Sequence, residues 1–330
     1  MARADLLVNL VKSGSKGDHS RFRRVVEGII AEEREKRHHV LADRLVDALR
    51  ENGHSPHRPG RLLESSISNL LHHRVPERRL SEVILNDQNR ALITEIAQEH
   101  HSAELLKSYG LSPRNRVMFI GPPGNGKTTL AEAMAYELMV PLLIVRYEGL
   151  IGSFLGETAS QLQKIFDFVR QQKCVLFFDE FDAVGKERGD THETGEIKRV
   201  VSSLLLQIDA LPSYSVVAVA SNHAHLLDSA VWRRFQVQIE MPSPTRAQLV
   251  SFIQDYEGQT SLKFGLSART IVDKISFDSF SAAEDFCRDV YRRAVLERQQ
   301  DNAKKITERK IRQWRTQLKV TSKANSTNYA

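Results

Sequence analysis

Gly121-Pro122-Pro123-Gly124-Asn125-Gly126-Lys127-Thr128 is the stretch that decides the fold of this chain. It follows an apolar run, Val117-Met118-Phe119-Ile120, that predicts a buried parallel strand, and a helical pattern from Thr129 to Met139 comes after it. Strand, glycine-rich loop and helix in that order form a cradle for polyphosphate. The loop N–H groups and the positive end of the helix face a β-phosphate, Lys127 reaches the β- and γ-phosphates, and the Thr128 hydroxyl is placed to hold Mg²⁺. Glycine is required because a side chain would block the approach of backbone to phosphate. The candidate nucleotide-binding residues are Gly121, Pro122, Pro123, Gly124, Asn125, Gly126, Lys127, Thr128 and Thr129.

A second apolar run, Cys174-Val175-Leu176-Phe177-Phe178, ends in Asp179-Glu180. Acidic residues at the carboxyl end of a parallel strand stand where such sheets bind ligands. Asp179 is the candidate Mg²⁺ ligand through water, and Glu180 the candidate general base for an attacking water. A third run, Ser215 to Ala220, ends in Ser221-Asn222. Asn222 there either bonds the lytic water or γ-phosphate or simply forms a turn. Arg233 and Arg234 follow one helix-length later. They are ordinary solvated arginines unless a neighbouring subunit's ATP needs charge supplied in trans.

Taken together, these residues resemble an AAA-type ATPase of the AAA+ superfamily. GPPGNGKT at 121–128 matches its Walker A motif and VLFFDEFDAV at 175–184 its Walker B motif. FLGET at 154–158, ASN at 220–222, WRRF at 232–235 and the lid-like stretch Phe280 to Leu296 complete the likeness, which runs from about Ser81 to Arg298. The resemblance implies an α/β P-loop fold: a five-stranded parallel sheet sandwiched by helices, then a small helical lid. It also implies ATP hydrolysis with Mg²⁺ and a ring, usually of six subunits, with ATP at the subunit boundaries. Two departures stand out. The arginines are adjacent rather than split as R-P-G-R, which leaves open which one is the finger. The lid helix begins Ser281-Ala282-Ala283-Glu284 without a sensor arginine.

In the family, an aromatic–aliphatic–glycine triplet between the second and third strands lines a central pore and grips polypeptide. Phe154-Leu155-Gly156 occupies that place here. Read from the residues alone, Phe154 and Leu155 would instead anchor their loop on the core. Gly185 to Gly195, with His192 and Glu193, is either a second pore loop or a solvated one.

The 330 residues allow about two domains at roughly 150 residues each, and 41 % hydrophobic residues suffice for a core. Cys174 and Cys287 give no disulfide framework, which fits a reducing compartment. No run approaches the roughly 18 apolar residues of a membrane span, and no signal peptide is visible. The expected location is cytoplasmic. The expected organisation is a helical N-terminal region and linker over 1–60, a connector over 61–80, the large ATPase subdomain over 81–242, a helical lid over 243–300, and a basic, disordered tail over 301–330. Paired histidines (His38-His39, His72-His73, His100-His101) lack metal-site spacing and read as surface residues. The net charge of +6 raises nucleic acid as a partner, with Lys305, Arg309 and Arg312 sharing one face of a terminal helix near Trp314. No base-reading motif accompanies them, and a solvated helix is the preferred reading. The resulting expectation is a ring ATPase that remodels a protein client or serves a separately encoded effector such as a protease. A DNA-associated regulator or loader and a nucleotide-gated scaffold are the alternatives.

Overall fold

The computed structural model describes residues 19–50, 65–147, 155–182, 194–223, 227–260 and 262–327. The chain divides into two compact units, residues 1–120 with 128–240, and residues 121–127 with 241–330.

The first unit is built on a six-stranded sheet of order β1-β3-β4-β5-β2-β6. Its strands are β1 (Leu71–Arg74), β2 (Arg116–Ile120), β3 (Leu142–Val145), β4 (Val175–Phe178), β5 (Val216–Ser221) and β6 (Val237–Glu240). The five strands from β2 to β6 run parallel, as expected. Central β4 and β5 are buried at every position, because helices cover both faces and leave no polar side for alternation to record. β6 ends the sheet and alternates buried with exposed. The helices of this unit include the short α3 (Ser65–Ser68), α4 (Asp87–His101), α5 (Ala103–Ser108), α6 (Lys127–Glu137), α7 (Leu155–Val169), α8 (Thr194–Asp209) and the short α9 (Ser229–Trp232). A row of rings, Phe166–Phe178–Phe181–Phe235, with centroids 6.4, 6.1 and 6.3 Å apart, runs through the core beneath the β4 end. Each such buried side chain contributes about 1.5–3 kcal/mol.

The sixth strand corrects the expected five. β1 lies in the segment expected to be a connector and pairs antiparallel with β3, Leu71 opposite Val145 and Arg74 opposite Leu142. Leu71-His72-His73-Arg74 buries only its first residue, so the polar sequence carries no strand signal. Pairing comes from the backbone, at an edge where three exposed side chains cost nothing.

Before the sheet, α1 (His19–Glu35) and α2 (His39–Arg50) pack as a hairpin around Val26, Ile30 and Ala42. Its turn touches the sheet unit. Arg37 donates to the Gln171 carbonyl at 2.9 Å. His38 stands between a fully buried carboxylate and an amine, its Nδ1 2.6 Å from Glu33 Oε2 and its Nε2 2.6 Å from Lys173 Nζ. His38, Lys173, His100 and Glu104 border a cavity of about 580 Å³ floored by Leu138, Val140 and Val216. His100 is also bonded, its Nε2 2.8 Å from the Arg114 carbonyl. The reading of these two histidines as plain surface residues is therefore corrected.

The second unit is helical: α10 (Arg246–Thr260), α11 (Ala268–Lys274), α12 (Phe280–Leu296) and α13 (Lys304–Thr327). The expected disordered tail is instead the 24-residue helix α13. Its Ile306, Thr307, Ile311 and Trp314 form an inward stripe that the surrounding lysines and arginines disguise in the sequence. Trp314 lies edge-on to Phe286 and Phe277, at 5.8 and 6.2 Å. The buried Thr307 hydroxyl donates to the Phe264 carbonyl at 2.9 Å. Of the three basic residues expected on one face, Arg309 is bound to Glu297 at 2.7 Å, while Lys305 and Arg312 are exposed.

Trp314→Ala is therefore expected to cost the second unit about 3–5 kcal/mol, read as earlier thermal unfolding and faster amide exchange over 246–316. A pH effect is expected at the hairpin. Burial holds the His38 pKa below its ordinary 6.5, outweighing the Glu33 hydrogen bond, and the Lys173 charge acts in the same direction as burial. The neutral imidazole is the form that accepts from Lys173, so docking is intact above pH 6.5 and weakens as pH falls through the lowered value. Amide exchange over 25–46 should accelerate at pH 5.5 relative to 7.5, and a His38→Gln chain should lose that dependence.

Candidate functional site

The loop after β2 turns through left-handed backbone at Gly121 (φ +151°) and Gly124 (φ +76°). A Cβ on Gly121 would lie 2.1 Å from the Met241 carbonyl oxygen, so no other residue fits. A Cβ on Gly124 would meet Ser279 Oγ and Ser281 Cβ at 3.0 Å. The Gly124 carbonyl also accepts from the Ser281 N–H at 3.0 Å. Ser279 is the N-cap of α12, accepting from the Ala282 N–H at 3.2 Å. The glycine loop thus rests on the first turn of the lid helix, where the sequence has small serines and no arginine. Pro122 and Pro123 are exposed, whereas Asn125 is 3 % exposed with both side-chain polar atoms unpartnered among the described residues. Lys127 is 6 % exposed, and its amine donates to the Gly121 and Pro122 carbonyls at 2.6 and 2.9 Å. A buried amine, an unpartnered buried amide and a loop with no room for a side chain at Gly121 or Gly124 fit a polyphosphate.

The next residue in the chain, Thr128, donates its hydroxyl to Asp179 Oδ2 at 2.7 Å, and Thr129 follows on the same turn of α6, partly buried. Hydroxyl and carboxylate oxygens side by side are the hard donors Mg²⁺ prefers. Asp179 Oδ1 accepts from the Glu180 N–H at 3.0 Å. Glu180 itself is exposed and has φ +47°, a left-handed conformation uncommon for a residue with a side chain. The Phe181 N–H, 2.7 Å from the Ala220 carbonyl, ties this turn to the end of β5.

Asn222 is brought to the same sheet edge by the β4–β5 pairing. Sequence reading gave no role to Asp182, which organises this corner. It is 6 % exposed and accepts from Ser221 Oγ at 3.0 Å and from the Asn222 N–H at 3.1 Å. Its place within Asp179-Glu180-Phe181-Asp182, three residues past the first acid, was the available signal.

The two arginines differ. Arg234 is held by Asp209 Oδ2 at 2.9 Å and by the Ala230 carbonyl at 2.9 Å. Asp209 also pairs with Arg116 at 2.7 Å. Arg233 is exposed and has no side-chain partner among the described residues. Phe154 lies outside the described residues, and Leu155 is the first residue of α7. His192 and Glu193 also lie outside them.

Residues 117–243 match the ATPase family associated with various cellular activities (AAA). An uncharacterized AAA family ATPase of Sinorhizobium fredii is 34% identical over 304 residues, covering 90% of this chain and 91% of the relative. A 26S proteasome regulatory subunit homolog of Methanocaldococcus jannaschii is 27% identical over 223 residues, 66% of this chain and 59% of the relative. A peroxisomal ATPase of Schizosaccharomyces pombe is 37% identical over 134 residues, 39% of this chain and 14% of the relative. The chain belongs to the AAA family, and its activity is ATP hydrolysis to ADP and phosphate.

Gly121→Ala puts a methyl into the Met241 carbonyl and forces the loop to move. ATP affinity measured by calorimetry is expected to fall at least tenfold, with a lower melting temperature. Unchanged affinity would mean the loop is not what grips the nucleotide.

Proposed function

We propose that this AAA ATPase works as an oligomeric ring, with hydrolysis driving the remodelling of a protein client or partner effector. The observation that carries the site assignment is the continuity of the glycine loop, buried Lys127 and the Thr128–Asp179 hydrogen bond. The loop amides, the Asn125 amide and Lys127 bind the phosphates. Thr128 and Asp179 are the residues that would hold Mg²⁺, which when bound neutralises phosphate charge. Glu180 accepts a proton from the attacking water, and Asn222, fixed through Asp182, orients that water or the γ-phosphate. Arg233 is the better candidate for the charge supplied to a neighbour's ATP, because Arg234 is already committed to Asp209 within its own chain. Phe154 and Leu155 are assigned to gripping extended polypeptide.

Relatives named as proteasome regulatory subunit homologs and peroxisomal ATPases support a protein client over a nucleic acid. The lid packing of α13 weakens the nucleic-acid reading further, since its inner face and Arg309 are occupied. No helix among the described residues is long and apolar enough to cross a membrane. A cytoplasmic ring of six subunits, working on its own client or feeding a separately encoded protease, is the form proposed.

Lys127→Ala is expected to abolish ATP binding, whereas Glu180→Gln keeps binding and loses turnover by roughly 10²-fold or more. Phosphate release and nucleotide affinity together check both. For trans action, Arg233→Ala protein mixed with Lys127→Ala protein should regain activity, since some interfaces then pair an intact loop with an intact arginine. Arg234→Ala should chiefly lower the melting temperature. No rescue in mixtures shown to co-assemble would overturn the trans role of Arg233, and a chain that stays monomeric with ATP would overturn the ring.

A further inference from the structure

The cavity of about 580 Å³ beside the hairpin turn lies at the opposite edge of the sheet from the nucleotide site. Val140 and Cys174 stand just before β3 and β4, and Val216 opens β5. They mark the amino ends of parallel strands, whereas Asp179 and Ser221 mark carboxyl ends. ATP hydrolysis makes no use of this cavity, yet its volume is that of a small-molecule pocket, roughly 300–1,000 Å³.

Its floor is apolar and buried, formed by Leu138, Val140, Cys174 and Val216. Its walls are basic. Two lysines, Lys36 and Lys173, and three histidines, His38, His100 and His101, stand against the single carboxylate of Glu104. Several of these groups are already engaged. Lys36 donates to Glu32 at 2.6 Å, His38 bonds Glu33, and His100 bonds the Arg114 carbonyl. Lys173 differs from them. Among the described residues its hydrogen bond goes to a nitrogen, His38 Nε2 at 2.6 Å, and no carboxylate forms an ion pair with it. Burial pulls the Lys173 pKa down, while the charges of Glu33 and Glu104 oppose this from a distance. An ammonium carries three donors, of which His38 takes one.

A half-buried cation without a counter-ion, set beside an apolar floor, matches an anion that carries an apolar body. A cationic ligand would meet only Glu104, and an inorganic anion would leave the floor uncovered. We propose that this cavity binds a small monocarboxylate with an apolar body, its carboxylate accepting from Lys173 Nζ and its chain lying on Leu138, Val140 and Val216. Such a ligand touches the hairpin at Lys36 and His38 and the sheet unit at Lys173, so its binding holds the two together.

Octanoate is the probe, added to the full chain with saturating ADP and Mg²⁺ so that Lys127 is already occupied. Calorimetry is expected to give a Kd of about 1 mM or tighter, the scale for a ligand of about ten non-hydrogen atoms. The imidazole NMR signals of His38 and His100 should shift, and amide exchange over 25–46 should slow, because binding favours the docked hairpin. Inorganic phosphate should not compete. Lys173→Gln, which keeps a donor for His38, should weaken octanoate at least tenfold. Ala103→Trp fills the cavity from the start of α5 with every charge in place, and should abolish binding. Octanoate bound by either variant as by the unaltered chain, or not bound at all, would overturn the proposal. Competition by phosphate would also overturn it, by reducing the cavity to a plain anion site. If Lys173→Gln undocks the hairpin, seen as faster exchange over 25–46 without ligand, the Ala103→Trp result decides.

Discussion

Parallel pairing is the constraint on which the rest of this molecule depends. When β4, β5, β2 and β6 all run the same way, every carboxyl end falls on one edge of the sheet. Asp179, Ser221 and Ile120 are brought to that edge by hydrogen-bonded register alone. The turn after β4 then meets the end of β5, where Phe181 bonds the Ala220 carbonyl and Asp182 accepts from Ser221 and Asn222. The buried apolar runs enforce the arrangement, because β4 and β5 have no polar face to offer water. Chemistry is delegated to the few residues immediately past each strand.

Those few residues are held by contacts that run between loops. Thr128 reaches Asp179, Asp182 reaches Ser221 and the Asn222 backbone, and Phe181 bonds the end of β5. A shift in one loop is transmitted to the others through bonds of about 3 Å, with little slack. The paired arginines show the same division of labour. One is spent on fixing its own chain through Asp209, and its neighbour is left with an open guanidinium among the described residues.

The candidate site was legible wherever a residue type is chemically obligatory. Glycines at 121 and 124, Lys127, Thr128 and the Asp179-Glu180 pair admit few substitutes, and each announces itself after an apolar run. What escaped reading depended on partners far away in the chain. β1 has a polar sequence and exists because the β3 edge offers it backbone hydrogen bonds. α13 looks solvated until Phe277 and Phe286 are seen to receive Trp314. His38 looks like a surface residue until Glu33 and Lys173, one five and the other 135 positions away, close on its two nitrogens. Asp182 was visible as an acid, but its task is set by the neighbouring strand.

The backbone of Glu180 has a consequence for how such a protein can be altered. A side chain at φ +47° is conformationally dear, and glycine would relieve it. The residue proposed to perform hydrolysis is thus one that thermal robustness alone would discard. Any laboratory selection for heat resistance that does not also demand turnover has an easy route through this position to a sturdier and inert protein. The strain records that the molecule has been kept for what it does at some expense to how firmly it folds.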